Sequence, residues 1–405
     1  MGSPSIQDIL REYYPEYERQ YPVADAVREA VHAMLSCRTA VLGGHKQQCP
    51  DGHYTRIWYN SCKHRACPQC AYLKTAQWLE AQKARLLNCE HYHGIFTIPH
   101  DFNALWLCNT AVMANLLFNS AKHSLLDLLD DPKYLGARPG IIMALHTWGQ
   151  SLILHPHIHC LITGGGLEGQ QWKATKNGFL VPVVLLMERF RERLIKALRL
   201  GLKKGTLSIP EGETLESLEA SFCKAEKTKW NVHIRERYEH GEGVAHYLAK
   251  YLHGGPVGNS RLLCAEAGKV TFKYFNNHDK DESGQGKADT MTLTATQFLQ
   301  RLFLHVPPPR MHTVRAYGLY ANARAERLNY CRGLPGQAAV EKPHKRDWQD
   351  HYTDNDEQHP ECCPVCNKRL VRGAIILPQK KHVRPTALHK SGVPPPPKRQ
   401  YRQAA

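Results

Sequence analysis

The feature that most constrains how this chain can fold is a run of cysteines and histidines near its start. Between residues 37 and 70 there are eight such side chains: Cys37, His45, Cys49, His53, Cys62, His64, Cys67 and Cys70. The first residues, MGSPSIQDILREYY, lack the apolar core of an export signal, so we expect a cytoplasmic protein with reduced thiols. Reduced cysteines and histidines clustered in this way predict structural Zn²⁺ sites rather than disulfides.

The distribution of charge points to a polyanionic partner. The chain of 405 residues has a net charge of +16. Ten of its 53 Lys and Arg and none of its 37 Asp and Glu follow Glu361, which leaves +6 for residues 1–361. The terminal basic run can bind phosphates without sequence preference, or it is a solvated tail. No apolar run reaches the roughly 18 residues that a membrane span needs, so no membrane partner is predicted.

Hydrophobic patterning predicts an α+β fold. Runs rich in β-branched and aromatic residues predict the five strands of a central antiparallel sheet at 93–99, 141–149, 157–163, 230–235 and 269–275. Helical periodicity predicts helices at 23–35, 71–87, 102–129, 183–202, 244–252 and 294–305. Strands with intervening helices of this kind are typical of a sheet flanked by helices.

The segment HPHIHC at residues 155–160 is the first candidate for chemistry. Side chains alternate along a strand, so His157 and His159 project from the same face and can hold one cation. His155 shares that face only if Pro156 does not break the strand. Ordinary surface or core histidines are the alternative interpretation, but two at this spacing favour a metal site.

A third ligand is expected from the preceding strand. If the connection turns near residues 152–154, Gln150 lies across from the histidine pair and offers an amide oxygen, with His146 as its competitor. Two imidazoles and one oxygen leave room for water and phosphate oxygens, which suits a catalytic Mg²⁺ or Mn²⁺. Such an ion would polarise a phosphate that is being cleaved.

Two tyrosines in the predicted helix at 244–252 are the second candidate. Tyr247 and Tyr251 are four residues apart, so both phenols lie on one face. Paired aromatics at this spacing commonly belong to a core, but a phenol can also attack phosphorus and form a covalent phosphotyrosine. Lys250 could neutralise the phosphate, or it is simply solvated.

Together these motifs resemble the HUH endonucleases, and within them the IS91 family of two-tyrosine rolling-circle transposases. The resemblance covers about residues 37–332. It is carried by HPHIHC, by YLAKYL at 247–252, by the cysteine-rich module from Cys37 to Cys70, and by HVPPPRMHTVRAYGLYANAR at 305–324.

The resemblance implies a role for each matching residue. His157 and His159 would bind the catalytic ion, whereas Tyr247 and Tyr251 would be the nucleophiles and each hold a 5′-phosphate in turn. Gln150 as third ligand remains the inference from hairpin register. The implied substrate is single-stranded DNA at transposon ends and at the target site.

The module at residues 37–88 resembles the family's N-terminal zinc-binding domain. The Cys-x2-Cys pair that is common there is replaced by Cys49 and His53, and imidazole is an acceptable zinc ligand. With Cys67 and Cys70 these residues would close one tetrahedral site. Cys62 either displaces one of them or joins a second ion together with Cys37, His45 and His64. Arg56 and Arg65 are candidates for DNA binding, or they keep the module soluble.

A smaller cysteine group follows near the end of the chain. Cys362, Cys363 and Cys366 form a half-site for zinc, with Cys363 and Cys366 as the expected pair. His359 or Cys331 could complete it. The last residues, SGVPPPPKRQYRQAA, are expected to be disordered.

These observations predict five domains. They are an N-terminal helical segment (1–36), a zinc-binding module (37–88), an HUH endonuclease domain with the two-tyrosine helix (89–280), a helical extension (281–340) and a polar, basic tail (341–405). The chain lacks the G-x-x-x-x-G-K-[ST] phosphate loop, so a host helicase or the replication machinery would unwind the DNA.

The predicted function is transposition by nicking and rejoining single-stranded DNA. The protein would associate with the nucleoid when it acts. A plasmid rolling-circle replication initiator or relaxase would use the same chemistry. A non-catalytic zinc DNA-binding regulator would need neither tyrosine nor a catalytic ion.

Overall fold

The structure is a computed structural model that describes residues 3–249, 255–280, 286–341, 343 and 359–379. In this part of the chain the helices are α1 (Ile6–Gln20), α2 (Asp25–Ser36), α3 (Pro68–Lys83), α4 (Asn103–Cys108), α5 (Thr110–Asp130), α6 (Val183–Lys203), α7 (Leu215–Glu226), α8 (Glu242–Ala249), α9 (Ala295–Phe303) and α10 (Ala325–Gly333). The strands are β1 (Gly44–Gln48), β2 (Thr55–Tyr59), β3 (His91–Thr97), β4 (Arg138–Trp148), β5 (Leu154–Glu168), β6 (Gln171–Ala174), β7 (Val232–Tyr238), β8 (Leu262–Glu266), β9 (Lys269–Lys280), β10 (Gly286–Thr294), β11 (Val314–Gly318) and β12 (Val371–Ile376).

The chain folds into two compact units, and each is assembled from separated segments. The first unit comprises Met1–Glu80, His253–Val306 and Pro343–Ser391. The second comprises Ala81–Leu252, Pro307–Lys342 and Gly392–Ala405. The sequence predicts contiguous domains instead, and the five predicted ranges stay predictions of functional domains. The predicted α+β class is confirmed, because helices and antiparallel sheets occur in both units.

The second unit contains the sheet on which the candidate histidines lie. Its strand order is β11-β4-β5-β3-β7, and β6 pairs with the far end of β5. All of these pairs are antiparallel. Every residue of β3 and most of β4 and β5 are buried, and helices α5 and α6 pack against β4 and β7. Burial of this kind explains the apolar runs at residues 141–145 of β4 and 160–162 of β5.

The predicted membership of this sheet is wrong at one strand. The strand expected at residues 269–275 forms as part of β9, but it pairs with β8 and β10 in the first unit. The turn between β8 and β9 consists of Ala267 and Gly268, both with positive φ, and such a two-residue turn strongly favours local hairpin pairing. The fifth strand of the larger sheet is instead β11, which comes from a region expected to be helical. Strand β6 adds a sixth.

The helix predicted at residues 102–129 is interrupted. It forms as α4 and α5 with Asn109 between them, at φ −133°. The Asn109 side chain accepts a hydrogen bond from the backbone N–H of Ser208 (2.8 Å) and donates one to its carbonyl (2.8 Å). An asparagine that bonds to backbone elsewhere competes with helical geometry, which accounts for the break.

The first unit joins both ends of the described chain. Its two three-stranded sheets have the orders β12-β1-β2 and β10-β9-β8. The amphipathic helices α1 and α9 pack together, and the Phe303 ring meets the rings of Tyr14 and Tyr17 edge-on. Within the described residues, no helix is long and apolar enough to cross a membrane.

Candidate functional site

Three histidines form a buried cluster at the centre of the larger sheet. His146 is on β4, whereas His157 and His159 are on β5. One ligand nitrogen from each lies within 4.8 Å of those from the other two. The expected pair on one strand face therefore has a partner on the neighbouring strand, and three imidazoles can converge on a single ion.

The strand register explains this convergence. His146 is directly opposite His157 in the β4–β5 ladder, so the two side chains share one face of the sheet. His159 follows two residues along β5 and returns to that face. Because β5 is flanked by β4 and β3, the cluster lies in the interior of the sheet rather than at an edge.

This register favours His146 over Gln150 as the third ligand, and the choice between them stays a prediction. Strand β4 ends at Trp148, and Gln150 lies in the turn that follows. That turn spans residues 149–153 instead of 152–154, with Leu152 at φ +62° and Trp148 opposite Leu154. His146, the competing candidate, is the residue that the structure brings to the histidine pair.

Burial keeps the cluster neutral. It lowers the pKa of His157 to about 4 and holds the pKa values of His146 and His159 well below 6.5. A neutral imidazole is the form that binds a metal ion. The donor set therefore fits a divalent cation, and its nitrogen ligands favour Mn²⁺ over Mg²⁺, which prefers oxygen.

Hydrogen bonds determine which nitrogens can face an ion. The Nδ1–H of His157 donates to the backbone carbonyl of His155 (2.6 Å), since a carbonyl can only accept, and this leaves Nε2 with a lone pair. The Nδ1 of His159 lies 2.8 Å from the Nε2 of His93 on β3. If His159 binds an ion through Nε2, its Nδ1–H must donate to His93. His93 would then fix both the tautomer and the ring orientation of a ligand.

Replacing His93 should weaken metal binding without removing a ligand. We expect His93→Ala to lower the affinity for Mn²⁺ by about 10–100-fold, the usual effect of losing a hydrogen-bond partner of a metal-binding histidine. His93→Gln, whose amide oxygen can still accept the bond, should recover part of that loss. Titration calorimetry with Mn²⁺ would measure both. Equal affinities for the two variants would contradict this role.

The predicted nucleophile helix packs on the same sheet. Tyr247 lies on α8, whereas Tyr251 and Lys250 lie outside the described residues. Helix α8 packs against β3 and β5, and a Cβ on Gly241, the residue before the helix, would lie 3.0 Å from the ring of His91. His91 and His93 are two residues apart on β3 and so share a face. The start of α8 therefore lies on the face that carries the histidine cluster.

His91 is held rigidly beneath that helix. Its Nδ1–H donates to the carbonyl of Cys89 (2.9 Å), so its Nε2 accepts from the hydroxyl of Tyr320 (2.7 Å). The same hydroxyl accepts the backbone N–H of Leu87 (3.1 Å). Burial lowers the pKa of His91 to about 4, which keeps the ring neutral. His91 and His93 were not predicted from the sequence, although their two-residue spacing repeats that of the pair on β5.

Zinc-type ligands form two separate clusters in the first unit. One consists of Cys37, Cys62, Cys67 and Cys70, and the other of Cys49, His53, Cys363 and Cys366. In each cluster the ligand atoms lie within 4.8 Å of one another. In the first, the Sγ atom of Cys70 lies 3.6 Å from those of Cys37 and Cys62. Such distances are far beyond the roughly 2.05 Å of a disulfide and fit thiolates around one ion.

The structure groups these candidate ligands differently from the sequence-based prediction. Cys49 and His53 do not meet Cys67 and Cys70, because Cys49 is in the turn between β1 and β2 whereas Cys67 precedes α3. Their place beside Cys67 and Cys70 is taken by Cys37 and Cys62.

The other residues considered as zinc ligands lie outside both clusters. The side chain of His45 contacts that of Gln47. The Nδ1 of His64 accepts a hydrogen bond from the backbone N–H of Ala66, and the Nδ1 of His359 accepts one from the backbone N–H of Glu361. Cys331 lies in α10 of the second unit. The backbone of Cys362 pairs with that of Arg369 in an isolated antiparallel β-bridge.

Two arginines considered for DNA binding have structural contacts. Arg56 donates to Gln47 (2.7 Å) and to the Pro360 carbonyl, and its guanidinium stacks on Trp58 at 4.5 Å. Arg65 is half-buried, and burial lowers its pKa from the usual value. The contacts of Arg56 favour a role in holding the module together, and DNA binding by either side chain stays a prediction.

Comparison with known proteins agrees with both parts of this architecture. Residues 140–327 match a family described as "Putative transposase", and residues 9–98 match one described as "Transposase zinc-binding domain". A relative from Sinorhizobium fredii, "Putative transposase y4qJ", is 35% identical over 381 residues, which cover 91% of this chain and 94% of the relative. The "Transposase for insertion sequence element IS801" of Pseudomonas savastanoi pv. phaseolicola is 30% identical over 305 residues, covering 73% and 70%. No solved structure matches.

The fold, the histidine cluster and these matches define a transposase that carries a zinc-binding domain. The chain belongs to the IS91 family of transposases.

Proposed function

We propose that this transposase nicks and rejoins single-stranded DNA by metal-assisted attack of a tyrosine on phosphorus, as in HUH-type nucleases. The observation that carries the proposal is the shared sheet face. The cluster of His146, His157 and His159 and the start of the helix that bears Tyr247 lie on the same side of the sheet. A phosphate bound at the cluster could therefore face a phenol of that helix.

The three histidines would hold Mn²⁺ or Mg²⁺, and the ion would polarise the phosphate oxygens. His155 and His93 fix the imidazoles of His157 and His159 through hydrogen bonds of 2.6 and 2.8 Å. The buried setting excludes water that would compete for the phosphate.

The tyrosine step conserves the energy of the phosphodiester bond. The phenol oxygen attacks phosphorus, a 5′-phosphotyrosine bond forms, and the bond to the 3′ oxygen breaks to leave a free 3′-hydroxyl. Attack by a 3′-hydroxyl on the phosphotyrosine reverses the step and joins DNA strands without ATP. With Tyr247 and Tyr251 both available, one strand end can stay attached while a second is cut. Unwinding would fall to a host helicase or to replication.

The decisive test is a covalent adduct with labelled single-stranded DNA that contains an element end. We expect a Mn²⁺-dependent adduct with the natural protein and none with Tyr247→Phe/Tyr251→Phe, because a phenyl ring has no nucleophilic oxygen. Tyr330→Phe is a matched control, since Tyr330 is 43% exposed and its hydroxyl bonds only to the Gln170 carbonyl among the described contacts. Denaturing electrophoresis would quantify the adduct, and mass spectrometry of the modified peptide would identify the first nucleophile.

Two results would point to other functions. Binding of DNA without any adduct would favour a zinc-dependent DNA-binding regulator. An adduct whose resolution only closes a DNA strand into a circle, and never joins an element end to a target, would favour a replication initiator or relaxase. An adduct that persists in the double variant would contradict the assigned nucleophiles.

A further inference from the structure

We propose that Cys49, His53, Cys363 and Cys366 bind a second structural zinc ion, which fastens the C-terminal segment to the N-terminal zinc-binding domain. The match to the zinc-binding family ends at residue 98, so two of these ligands lie far outside it. Cys49 and Cys366 are separated by 317 positions.

The distances fit a tetrahedral site. The Sγ atom of Cys49 lies 3.5 Å from that of Cys366 and 3.8 Å from the Nδ1 of His53, and all four ligand atoms are within 4.8 Å of one another. Zinc–sulfur bonds of about 2.3 Å in a tetrahedron place sulfur atoms about 3.8 Å apart. A disulfide between these cysteines is excluded by the 3.5 Å separation.

Two short turns present the ligands. After β1, the N–H of Cys49 donates to the Tyr54 carbonyl (2.8 Å) and the N–H of Gly52 donates to the Cys49 carbonyl (3.0 Å), which closes the loop that carries His53. The C-terminal turn repeats this arrangement, with the N–H of Cys363 donating to the Lys368 carbonyl (2.8 Å). Each turn therefore offers two ligands on a backbone that its own hydrogen bonds hold in place.

The remaining contacts bring the two turns together. Strand β12, which follows the second turn, pairs with β1 in antiparallel register. Lys368 forms an ion pair with Asp51 in the first turn (2.8 Å). The buried Glu361 accepts hydrogen bonds from Arg369 (3.0 Å) and Arg372 (3.1 Å). The end of the described chain is thus built into the zinc-binding domain.

A simple apolar core is the competing interpretation. Cys49, Cys363 and Leu370 are buried together, and Tyr54 packs against them. An apolar core does not explain why His53, an exposed residue, has its ring nitrogen directed at the Cys49 thiol. It also does not explain four zinc-type ligands at tetrahedral spacing.

Zinc stoichiometry of the full-length protein tests the proposal. Inductively coupled plasma mass spectrometry should find two zinc ions per chain in the natural protein, and one in Cys363→Ser, Cys366→Ser and the double variant. Cys362→Ser is the matched control, since Cys362 is the neighbouring cysteine outside the cluster, and it should retain two ions. Cys67→Ser should lose the other ion.

Two further measurements address variants that fold poorly. Because His53 is exposed, His53→Ala should leave the core intact and speed the release of one zinc ion to a chelator by at least about tenfold. Limited proteolysis should cut near residues 359–379 once that ion is removed, with the rest of the chain unchanged. One zinc ion in the natural protein, or two in the Cys363→Ser/Cys366→Ser variant, would overturn the proposal.

Discussion

His146→Ala should lower the rate of metal-dependent DNA cleavage by about a thousandfold, whereas Gln150→Ala should change it by less than about tenfold. The reason is that His146 lies within 4.8 Å of the ligand atoms of His157 and His159, whereas Gln150 follows the end of β4 in the turn. Lewis-acid stabilisation by a metal ion supplies several kcal/mol, and roughly 1.4 kcal/mol corresponds to tenfold in rate. Single-turnover cleavage of labelled DNA at saturating Mn²⁺ would measure both variants.

The His146 variant needs a control for stability, because this residue is buried. His146→Asn retains a polar side chain, and thermal unfolding of both variants would separate a loss of fold from a loss of metal. His155→Ala is a positional control, since its side chain lies beside the cluster and bonds to His100 instead (2.9 Å). Equal losses of cleavage rate in the His146 and Gln150 variants, or a loss only in the Gln150 variant, would contradict His146 as the third ligand and favour Gln150.

The placement of His157 and His159 on one face of the sheet was predictable, because alternation along a strand is a local rule. The two-residue spacing of His157 and His159 places them on one face whatever the rest of the fold does. The third ligand depends on register, and register depends on where the turn falls. A tight turn at residues 149–153, with Leu152 at positive φ, moved His146 into the position expected for Gln150.

The fold was predictable to the same extent. Strands β3, β4, β5 and β7 could be located from their β-branched and aromatic residues, which favour a pleated strand. The partners of a strand are not encoded in its own residues. Strand β9 pairs with β8 and β10, its neighbours in sequence. The edge of the larger sheet beside β4 is formed by β11 instead.

The zinc ligands show the same limit. Their residue types identified the module, yet their grouping depended on which turns meet in space. Cys363 and Cys366 were recognised as half of a site, but nothing local indicates that Cys49 and His53 supply the other half. That information resides in the pairing of β12 with β1.

Gly241→Ala should reduce the rate of adduct formation by about 100-fold while leaving the affinity for Mn²⁺ unchanged. A methyl group there would lie 3.0 Å from three carbons of the His91 ring, closer than the roughly 3.5–4.0 Å of a normal contact. The ring cannot swing away, because Cys89 and Tyr320 hold both of its nitrogens. Helix α8 must therefore shift relative to the sheet that bears the candidate metal ligands. A displacement of about 1 Å is enough to cost 100-fold in rate.

A graded series separates this positional effect from a general loss of stability. Gly241→Val should be slower than Gly241→Ala, because a larger side chain moves the helix further. Glu242→Ala, at the next and exposed position, should react at nearly the natural rate. Calorimetric titration with Mn²⁺ should give the same affinity for all three variants, since the histidines on β4 and β5 do not move. If Gly241→Ala formed the adduct as fast as the natural protein, α8 would not carry the nucleophile. If it lost metal affinity together with rate, the substitution would be acting on the whole sheet rather than on the helix.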